Sequence, residues 1–257
     1  FFLRDGLSAA EKERMAAYGA DMNKYLDSGN EARIKKAYES RDPRLQMAVI
    51  TPYAQYNGAS SGIAHTYTLR WPYRGSDSAE PFDIRTDTND KFYYLWRKFV
   101  PEGLEQTERD TYGLDIPLIR YAEVLLLKAE ALNEWGSTHE SEAIRCVNEV
   151  RRRAGHVELN NATYPATKVN GQSDLRERIR NEYYWEIGGE DSMYFHELRW
   201  GTWKDKKFDN NRNGLMQMWG ETTYTWYWLG DQCWSWPIPA KEMEMNSNLE
   251  QNEGWIN

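Results

Sequence analysis

The chain has 257 residues, which is enough for one large domain or two small ones with an ample apolar core. Its formal net charge of −8 argues against a phosphate-neutralising surface, and therefore against a nucleic-acid-binding protein. The 12 Trp and 17 Tyr suit either a core or a ligand that has an apolar face and a polar rim.

The first 40 residues predict two helices. Ser8-Ala-Ala-Glu11 is a capping-box pattern that opens a helix through about Leu26, with Gly29 as its stop. A second, short helix is predicted over 31–40. It should end at Arg41-Asp42-Pro43, because a residue that precedes proline is disfavoured in the helical region.

The stretch from Val49 to Pro81 has no helical period and is punctuated by Gly, Pro and Ser. We predict an irregular segment here, and an irregular segment of this length inside a domain is usually either functional or disordered. The aromatic residues on it are Tyr53, Tyr56, Tyr67, Trp71 and Tyr73.

An antiparallel helical hairpin is predicted over 117–134 and 139–154. Pro117 suits a first helical position, Gly136 stops the first helix, Ser137 caps the second, and Gly155 closes it. The small residues Ala131 and Ala143 permit close approach, as in a tetratricopeptide hairpin, although that repeat signature is only partial. The residues expected to be buried between the helices are Leu118, Leu125, Leu132, Ile144, Val147 and Val150.

Beyond the hairpin, Ser173 is predicted to cap a third helix through Ile187, with one apolar face made by Leu175, Ile179, Tyr183 and Ile187. Another short helix is predicted over 191–200. Residues 224–228 alternate like a strand, and Trp234 and Trp236 beside the Pro-Ile-Pro segment are expected to seal a core.

No catalytic or metal constellation is apparent in the sequence. Gly58-Ala-Ser60-Ser-Gly62 has the spelling of a nucleophile elbow, but it lacks the buried strand before it and the helix after it. Asp209 to Gly214 matches the first half of a calcium loop, yet position twelve is Gly220 instead of a bidentate glutamate. We interpret this segment as a polar turn, with a calcium site as the alternative, and no other cofactor is predicted. Cys146 is expected to be a buried thiol.

Three stretches together resemble the SusD/RagB family of outer-membrane nutrient-binding lipoproteins. They are Arg41-Asp42-Pro43-Arg44-Leu45, residues 116–155, and the closing segment from Trp236 to Trp255. The resemblance implies a mainly α fold of tetratricopeptide-like helical hairpins with long irregular loops and a few short strands. Residues 1–257 would form the C-terminal part of one SusD-like domain, with a hairpin core over 117–155, an aromatic loop region over 49–81 and a closing segment over 224–257.

The chain departs from the family pattern over 180–199. It keeps the acidic positions Glu182, Glu186 and Glu190, but it has Tyr183 and Tyr184 where the family usually has arginines. It also has Asp191, Met193 and His196 in place of the usual glycine, arginine and aspartate. These changes put the corresponding internal ion pairs in question, and we interpret the chain as a divergent branch of the same fold.

The function implied by the resemblance is non-catalytic binding of an oligosaccharide at the cell surface, with delivery to a SusC-like, TonB-dependent transporter. The protein would lie on the outer membrane, held only by an N-terminal lipid that this chain lacks. We accordingly expect a processed or truncated piece without the N-terminal half. The alternatives are a RagB-like peptide binder and a helical-repeat scaffold for protein contacts.

The predicted ligand contacts lie on the 53–74 segment. They are chiefly Trp71 and Tyr73, with Tyr67 and Arg74 beside them. Pro72 restricts the backbone between the two rings, so both can be presented at a small ordering cost, and Arg74 offers several fixed donors. A second candidate group comprises Tyr93, Tyr94 and Trp96, for which we expect burial instead.

Overall fold

The computed structural model describes Lys36, Tyr38, 41–51, 53–60, 63–69, 83–84, 95–103, 115–190, 192–208 and 227–255. Within these residues the fold is mainly helical with a few short strands, as predicted. The helices are α1 (Pro43–Ala48), α2 (Tyr121–Trp135), α3 (Glu140–Arg153), α4 (Gln172–Ile187), α5 (Ser192–Arg199), α6 (Trp203–Lys207) and α7 (Ala240–Met245). The strands are β1 (Val49–Ile50), β2 (Gln55–Ser60), β3 (Ile63–Leu69), β4 (Asp83–Ile84) and β5 (Leu95–Trp96).

The chain divides into two compact units. The first comprises Phe1–Met193 with Gly214–Glu221, and the second comprises Tyr194–Asn213 with Thr222–Asn257. The described part of the first unit holds α1 to α4 and all five strands. The described part of the second unit holds most of α5, then α6, α7 and the closing segment.

The predicted helical hairpin is present in α2 and α3, and α4 packs against both helices. Leu125 and Leu132 of α2 are buried, as are Ile144, Val147 and Val150 of α3. Burial of such apolar side chains is the main favourable term that holds the hairpin together. On α4 the predicted face is also confirmed, because Leu175, Ile179, Tyr183 and Ile187 are all buried.

Four details of the predicted helices were wrong. Helix α2 begins at Tyr121 instead of Pro117, so Leu118 precedes it and is 88% exposed. The small α2 residues in the core are Ala122 and Ala129, whereas Ala131 is exposed. Ser137 lies in a 3₁₀ turn (Ser137–His139) and does not cap α3. Ser173 lies inside α4, which begins at Gln172.

The helix ends follow the glycine signals in the sequence. Gly136 has a φ of 138° and its N–H bonds the carbonyl of Leu132, which ends α2. Gly155, with a φ of 70°, follows the end of α3. Glycine reaches these positive φ angles without the steric penalty of a Cβ atom, so the chain can leave each helix there.

The segment 53–69 is not irregular, which corrects the sequence prediction. Strands β2 and β3 form an antiparallel hairpin in which Tyr56 pairs with Tyr67 and Gly58 pairs with His65. Strand β4 joins parallel to β3, and β1 pairs separately with β5. Only two residues separate Ser60 from Ile63, which is the loop length of the tightest β-hairpins.

A short helix, α1, follows the Arg-Asp-Pro turn and was not predicted. Asp42 is its N-cap, and the carboxylate accepts a hydrogen bond of 2.9 Å from the N–H of Arg44. Pro43 occupies the first turn, where a missing N–H costs nothing. The same sequence that ends one predicted helix therefore begins another.

Several predicted features fall outside the described residues. These are the helix over 8–26, the helix over 31–40 apart from Lys36 and Tyr38, the calcium alternative over 209–220, and residues 224–226 of the predicted strand. Tyr227 and Trp228, which end that stretch, have no strand structure. Within the part that the structure describes, no helix is long and apolar enough to span a bilayer.

Candidate functional site

Tyr67, one of the predicted ligand residues, lies on β3 with its side chain half-buried. It packs against a small core made by Ile50, Tyr56 and Leu69. Its ring also lies flat against the neighbouring strand, since a Cβ atom added at Gly58 would come within 2.6 Å of the Tyr67 ring. Glycine at 58 therefore leaves the space that this ring occupies, and the contacts of the ring with the core limit its movement.

The other predicted contacts are not brought together by described residues. Trp71, Tyr73 and Arg74 lie outside the described part of the chain, so their grouping with Tyr67 stays a prediction. In the second candidate group, Tyr93 and Tyr94 also lie outside it. Trp96 is 47% exposed, with its ring against Gly189, so the burial expected for it was wrong.

The open edge of β2 is covered by one ion pair, Arg97–Glu102. Arg97 donates to the carbonyls of Gln46 at 3.0 Å and Gln55 at 2.9 Å, and Glu102 accepts from the N–H of Asn57 at 3.2 Å. The bonds to Gln55 and Asn57 of β2 are of the kind that a further strand would otherwise supply, whereas Gln46 belongs to α1. The pair thereby blunts the sheet edge and ties the hairpin to the segment that follows β5.

A cluster of buried and half-buried charged side chains lies on and around α4, and we call it the ion network. Its carboxylates are Glu182 and Glu186, four residues apart on one face of α4, and Glu190, three residues after the helix ends. Glu182 and Glu186 are buried. Each of the three is paired with arginine or lysine side chains from other parts of the chain.

Arg44 connects α1 to the ion network. Its guanidinium lies 2.8 Å from a Glu182 oxygen, 3.2 Å from Glu186 and 2.6 Å from Asp42. Asp42 therefore has two roles, since it caps α1 and also holds Arg44 in place. The Arg-Asp-Pro-Arg sequence thus encodes a helix start whose arginine is directed onto α4.

Helices α2 and α3, with the residue that precedes α2, supply the remaining arginines. Arg151 of α3 donates to Glu182 at 2.8 Å and Arg153 donates to Glu186 at 2.7 Å. Arg120, the N-cap residue of α2, reaches Glu186 at 2.8 Å and Glu190 at 2.7 Å. The ion network therefore joins α1, α2, α3 and α4 through charge-assisted hydrogen bonds.

Lys98 closes the C-terminal end of α4. Its ammonium donates to the carbonyls of Glu186 at 2.9 Å and Gly188 at 3.1 Å, and to the Glu190 carboxylate at 2.6 Å. A cation is favourable there, because the last carbonyls of a helix lack partners within the helix and carry partial negative charge. Burial nevertheless lowers the pKa of Lys98, against the opposing effect of Glu190.

The pKa values within the ion network shift in different directions. Burial raises the pKa of Glu182, and the guanidinium groups of Arg44 and Arg151 act against that rise. For Glu186, burial acts upward as well, but the hydrogen bond from Arg120 and the charges of Arg153 and Arg120 hold its pKa below the usual 4.5. Asp42 is lowered in the same way, since Arg44 outweighs the effect of burial.

The role of the ion network is structural. A general acid or base needs a proton that can be exchanged with a substrate, whereas Glu182, Glu186 and Glu190 are each occupied by arginine or lysine. Within the described residues, no group of three His, Cys, Asp or Glu side chains could hold a metal ion. The ion network joins the helices to one another and to the segment after β5.

Sequence reasoning identified the acidic positions of this region but not their partners. The departures at Tyr183 and Tyr184 put local ion pairs in question, yet the cations come from residues that are distant in sequence. Arg44 and Glu182, for example, are separated by most of the described first unit. The available signal was the repeat of Glu on one face of a helix that is otherwise apolar there, because such carboxylates require partners.

A family model described as the SusD family matches residues 11–255. The chain belongs to the SusD family. Two curated relatives share part of its sequence. SusD-like protein P38 of Formosa agariphila is 32% identical over 139 residues, which are 54% of this chain and 24% of that protein. Starch-binding protein SusD of Bacteroides thetaiotaomicron is 28% identical over 161 residues, which are 62% of this chain and 25% of that protein.

The solved structures agree on the fold of this SusD-family chain. A SusD-like protein from Bacteroides fragilis has a TM-score of 0.56 at 22% identity, covering 86% of this chain and 40% of that one. A SusD homolog from Bacteroides thetaiotaomicron has a TM-score of 0.50 at 21% identity, covering 90% and 42%. The matched regions thus span about a quarter of the curated relatives and two fifths of the solved structures.

Proposed function

We propose that this SusD-family chain belongs to a non-catalytic, lipid-anchored nutrient-binding protein on the surface of the outer membrane. It binds an oligosaccharide and delivers it to a SusC-like, TonB-dependent transporter. The observation that carries the proposal is the family match across residues 11–255. The starch-binding name of the relative from Bacteroides thetaiotaomicron supports a glucan or related glycan as the class of ligand.

The ligand site that we propose includes Tyr67, together with Trp71, Tyr73 and Arg74 of the following segment. The support comes from Tyr67, whose ring is half-exposed and immobilised over Gly58 on a hairpin tied down by Arg97. An immobilised ring loses little entropy when a sugar stacks on it.

The absence of turnover is part of the proposal. Hydrolysis of a glycosidic bond generally requires two carboxyl groups on either side of the bond, one of which exchanges a proton with the leaving oxygen. In the described part of the chain, the buried carboxylates Glu182 and Glu186 are engaged by arginines. We therefore expect bound saccharide to be recovered intact.

A protein partner is supported by the outer face of α2. Tyr121, Val124, Leu127 and Trp135 are all exposed on this helix, although its opposite face is already buried in the hairpin. A helix that is apolar on both sides is typical of one covered on both sides in the working assembly. This face is suited to a broad protein interface, which we assign to contact with the transporter.

Calorimetric titration with oligosaccharides and oligopeptides tests the ligand class. Tyr67→Ala and Trp71→Ala should each weaken saccharide affinity by about 1–3 kcal/mol, the range measured for base–aromatic stacking. Trp135→Ala, which removes an equally large ring from the outer face of α2, should not change it. Tight binding of oligopeptides alone would favour the RagB-like alternative.

Recovery of the partner tests the delivery step. The protein, isolated from detergent-solubilised outer membranes, should bring down a TonB-dependent barrel, and the paired substitution Val124→Glu with Leu127→Glu should reduce that recovery. Capture of proteins of other compartments alone would favour the scaffold alternative.

A further inference from the structure

Trp236, at the start of the Pro-Ile-Pro segment, is exposed in the second unit. The sequence argument expected this residue to seal a core, but its exposure is 72%. A large apolar ring that remains in water forfeits the stabilisation that burial would give it. Its position is nevertheless fixed by specific contacts, which distinguishes it from a side chain left over at the surface.

The ring of Trp236 is held by its own polar atom. The indole N–H donates to the hydroxyl oxygen of Tyr194 at 3.2 Å. Tyr194 is in turn packed edge-on against Trp203, with ring centroids 4.9 Å apart, and against Phe195 at 5.3 Å. The indole is therefore anchored at one edge to a supported ring, and its faces are left to solvent.

The backbone of Trp236 is held equally firmly. Asn252 donates to its carbonyl at 2.6 Å. Gln251 accepts from the N–H of Ile238 at 2.7 Å and donates to its carbonyl at 2.9 Å, as a neighbouring strand would. Pro237 and Pro239, on either side of Ile238, further restrict the backbone after Trp236.

These contacts describe a preorganised stacking surface. A saccharide ring offers C–H groups to an aromatic face and hydroxyls at its rim. The Tyr194 hydroxyl accepts from the indole through its oxygen, which leaves its hydrogen able to donate to a hydroxyl at the indole edge. The amide of Asn252, exposed next to the Trp236 carbonyl, supplies a further donor and an acceptor.

We propose that Trp236, with Tyr194 and Asn252 at its rim, is a saccharide-stacking surface of the second unit, additional to the site that includes Tyr67. The class of ligand rests on the proposed function. The location rests on the exposure and anchoring of the indole.

The test is fluorine NMR of the protein labelled with 5-fluorotryptophan, in which Trp236→Phe assigns the Trp236 resonance. The probes are an α-1,4-linked glucan oligosaccharide, a β-1,3-linked glucan oligosaccharide and a mixed tripeptide library. The Trp236 resonance should shift saturably with a saccharide, and the Trp135 resonance, from a tryptophan that is 76% exposed, should not. Trp236→Ala should weaken the affinity roughly tenfold, and Tyr194→Phe, which keeps the ring, should weaken it less.

The outcomes separate this inference from the proposed function. Saccharide binding that shifts other tryptophans and leaves Trp236 unmoved overturns the inference and leaves the proposed function in place. A Trp236 shift with the peptides alone also overturns it. If neither glucan binds at millimolar concentration, the proposed glucan class fails and the inference fails with it. Circular dichroism of Trp236→Ala and Tyr194→Phe establishes that a loss of binding is not a loss of fold.

Discussion

The substitution Glu186→Gln tests the ion network most sharply. It keeps the size of the side chain and one acceptor oxygen, but it removes the charge that three arginines share. Glu186 accepts from Arg120 at 2.8 Å, from Arg153 at 2.7 Å and from Arg44 at 3.2 Å. We expect the variant to leave these cations with an uncompensated positive charge in a buried region.

The magnitude follows from the exposure of each partner. The Arg153 side chain is largely exposed, so water replaces Glu186 around it and its loss costs at most about 1 kcal/mol. Arg44 is buried and Arg120 is mostly so, and charge-assisted hydrogen bonds of that kind contribute about 1.5–3 kcal/mol each. The expected fall in the free energy of unfolding is therefore about 3–5 kcal/mol, the range for breaking a buried ion pair.

The assay is urea unfolding followed by circular dichroism at 222 nm, which reports the helices that the ion network joins. The matched control is Glu134→Gln, because Glu134 forms a two-bond ion pair with Arg176, at 2.6 and 2.7 Å, on the surface. That variant should lose about 0–1 kcal/mol. A loss for Glu186→Gln no larger than the control's would refute the assignment of the ion network as the support of the fold.

The remaining predictions concern packing, the pH dependence of stability and the β-hairpin of β2 and β3. Leu125→Ala should cost about 2–5 kcal/mol in urea unfolding, because Leu125 is buried between helices, while Leu127→Ala on the outer face should cost under about 1 kcal/mol. The free energy of unfolding should fall as the pH drops below about 4.5. Asp42 and Glu186 have lowered pKa values in the folded protein, so the unfolded chain binds protons at these carboxylates more readily and acid favours unfolding. The Glu186→Gln variant should show a shallower fall over that range, and an equal slope would contradict this reasoning. Gly58→Ala should displace the Tyr67 ring and cost about 1–3 kcal/mol, visible as a changed Tyr67 signal in NMR and a weaker saccharide titration.

Periodicity predicted the helices well because burial enforces it. Val147 and Ile179, for example, are each nearly fully buried on the face that their spacing indicates. Leu118 was misplaced for a local reason, since the period continues upstream of the point where the backbone becomes helical. Apolar spacing alone does not specify where a helix begins. The N-cap residue of α2 is Arg120, and arginine is not one of the residue types that mark a helix start.

The β-hairpin of β2 and β3 and the ion network were harder to predict. Strand β2 contains Gly58 and Ala59, which give no apolar alternation, so its pairing with β3 has little local signal. Ion pairs such as Arg120–Glu190 join residues that only the tertiary fold brings together. The exposure of Trp236 was missed because an aromatic residue beside prolines usually packs inward, whereas here hydrogen bonds hold it at the surface.

The proposed function rests most directly on saccharide binding without turnover. One measurement tests both parts: calorimetric titration of the purified protein with the glucan oligosaccharides, followed by chromatographic analysis of the recovered ligand. We predict saturable binding that Tyr67→Ala weakens, with the oligosaccharide recovered at its original length. Release of new reducing ends, abolished by exchange of a single carboxylate, would contradict the account, as would saturable binding of peptides in place of saccharides.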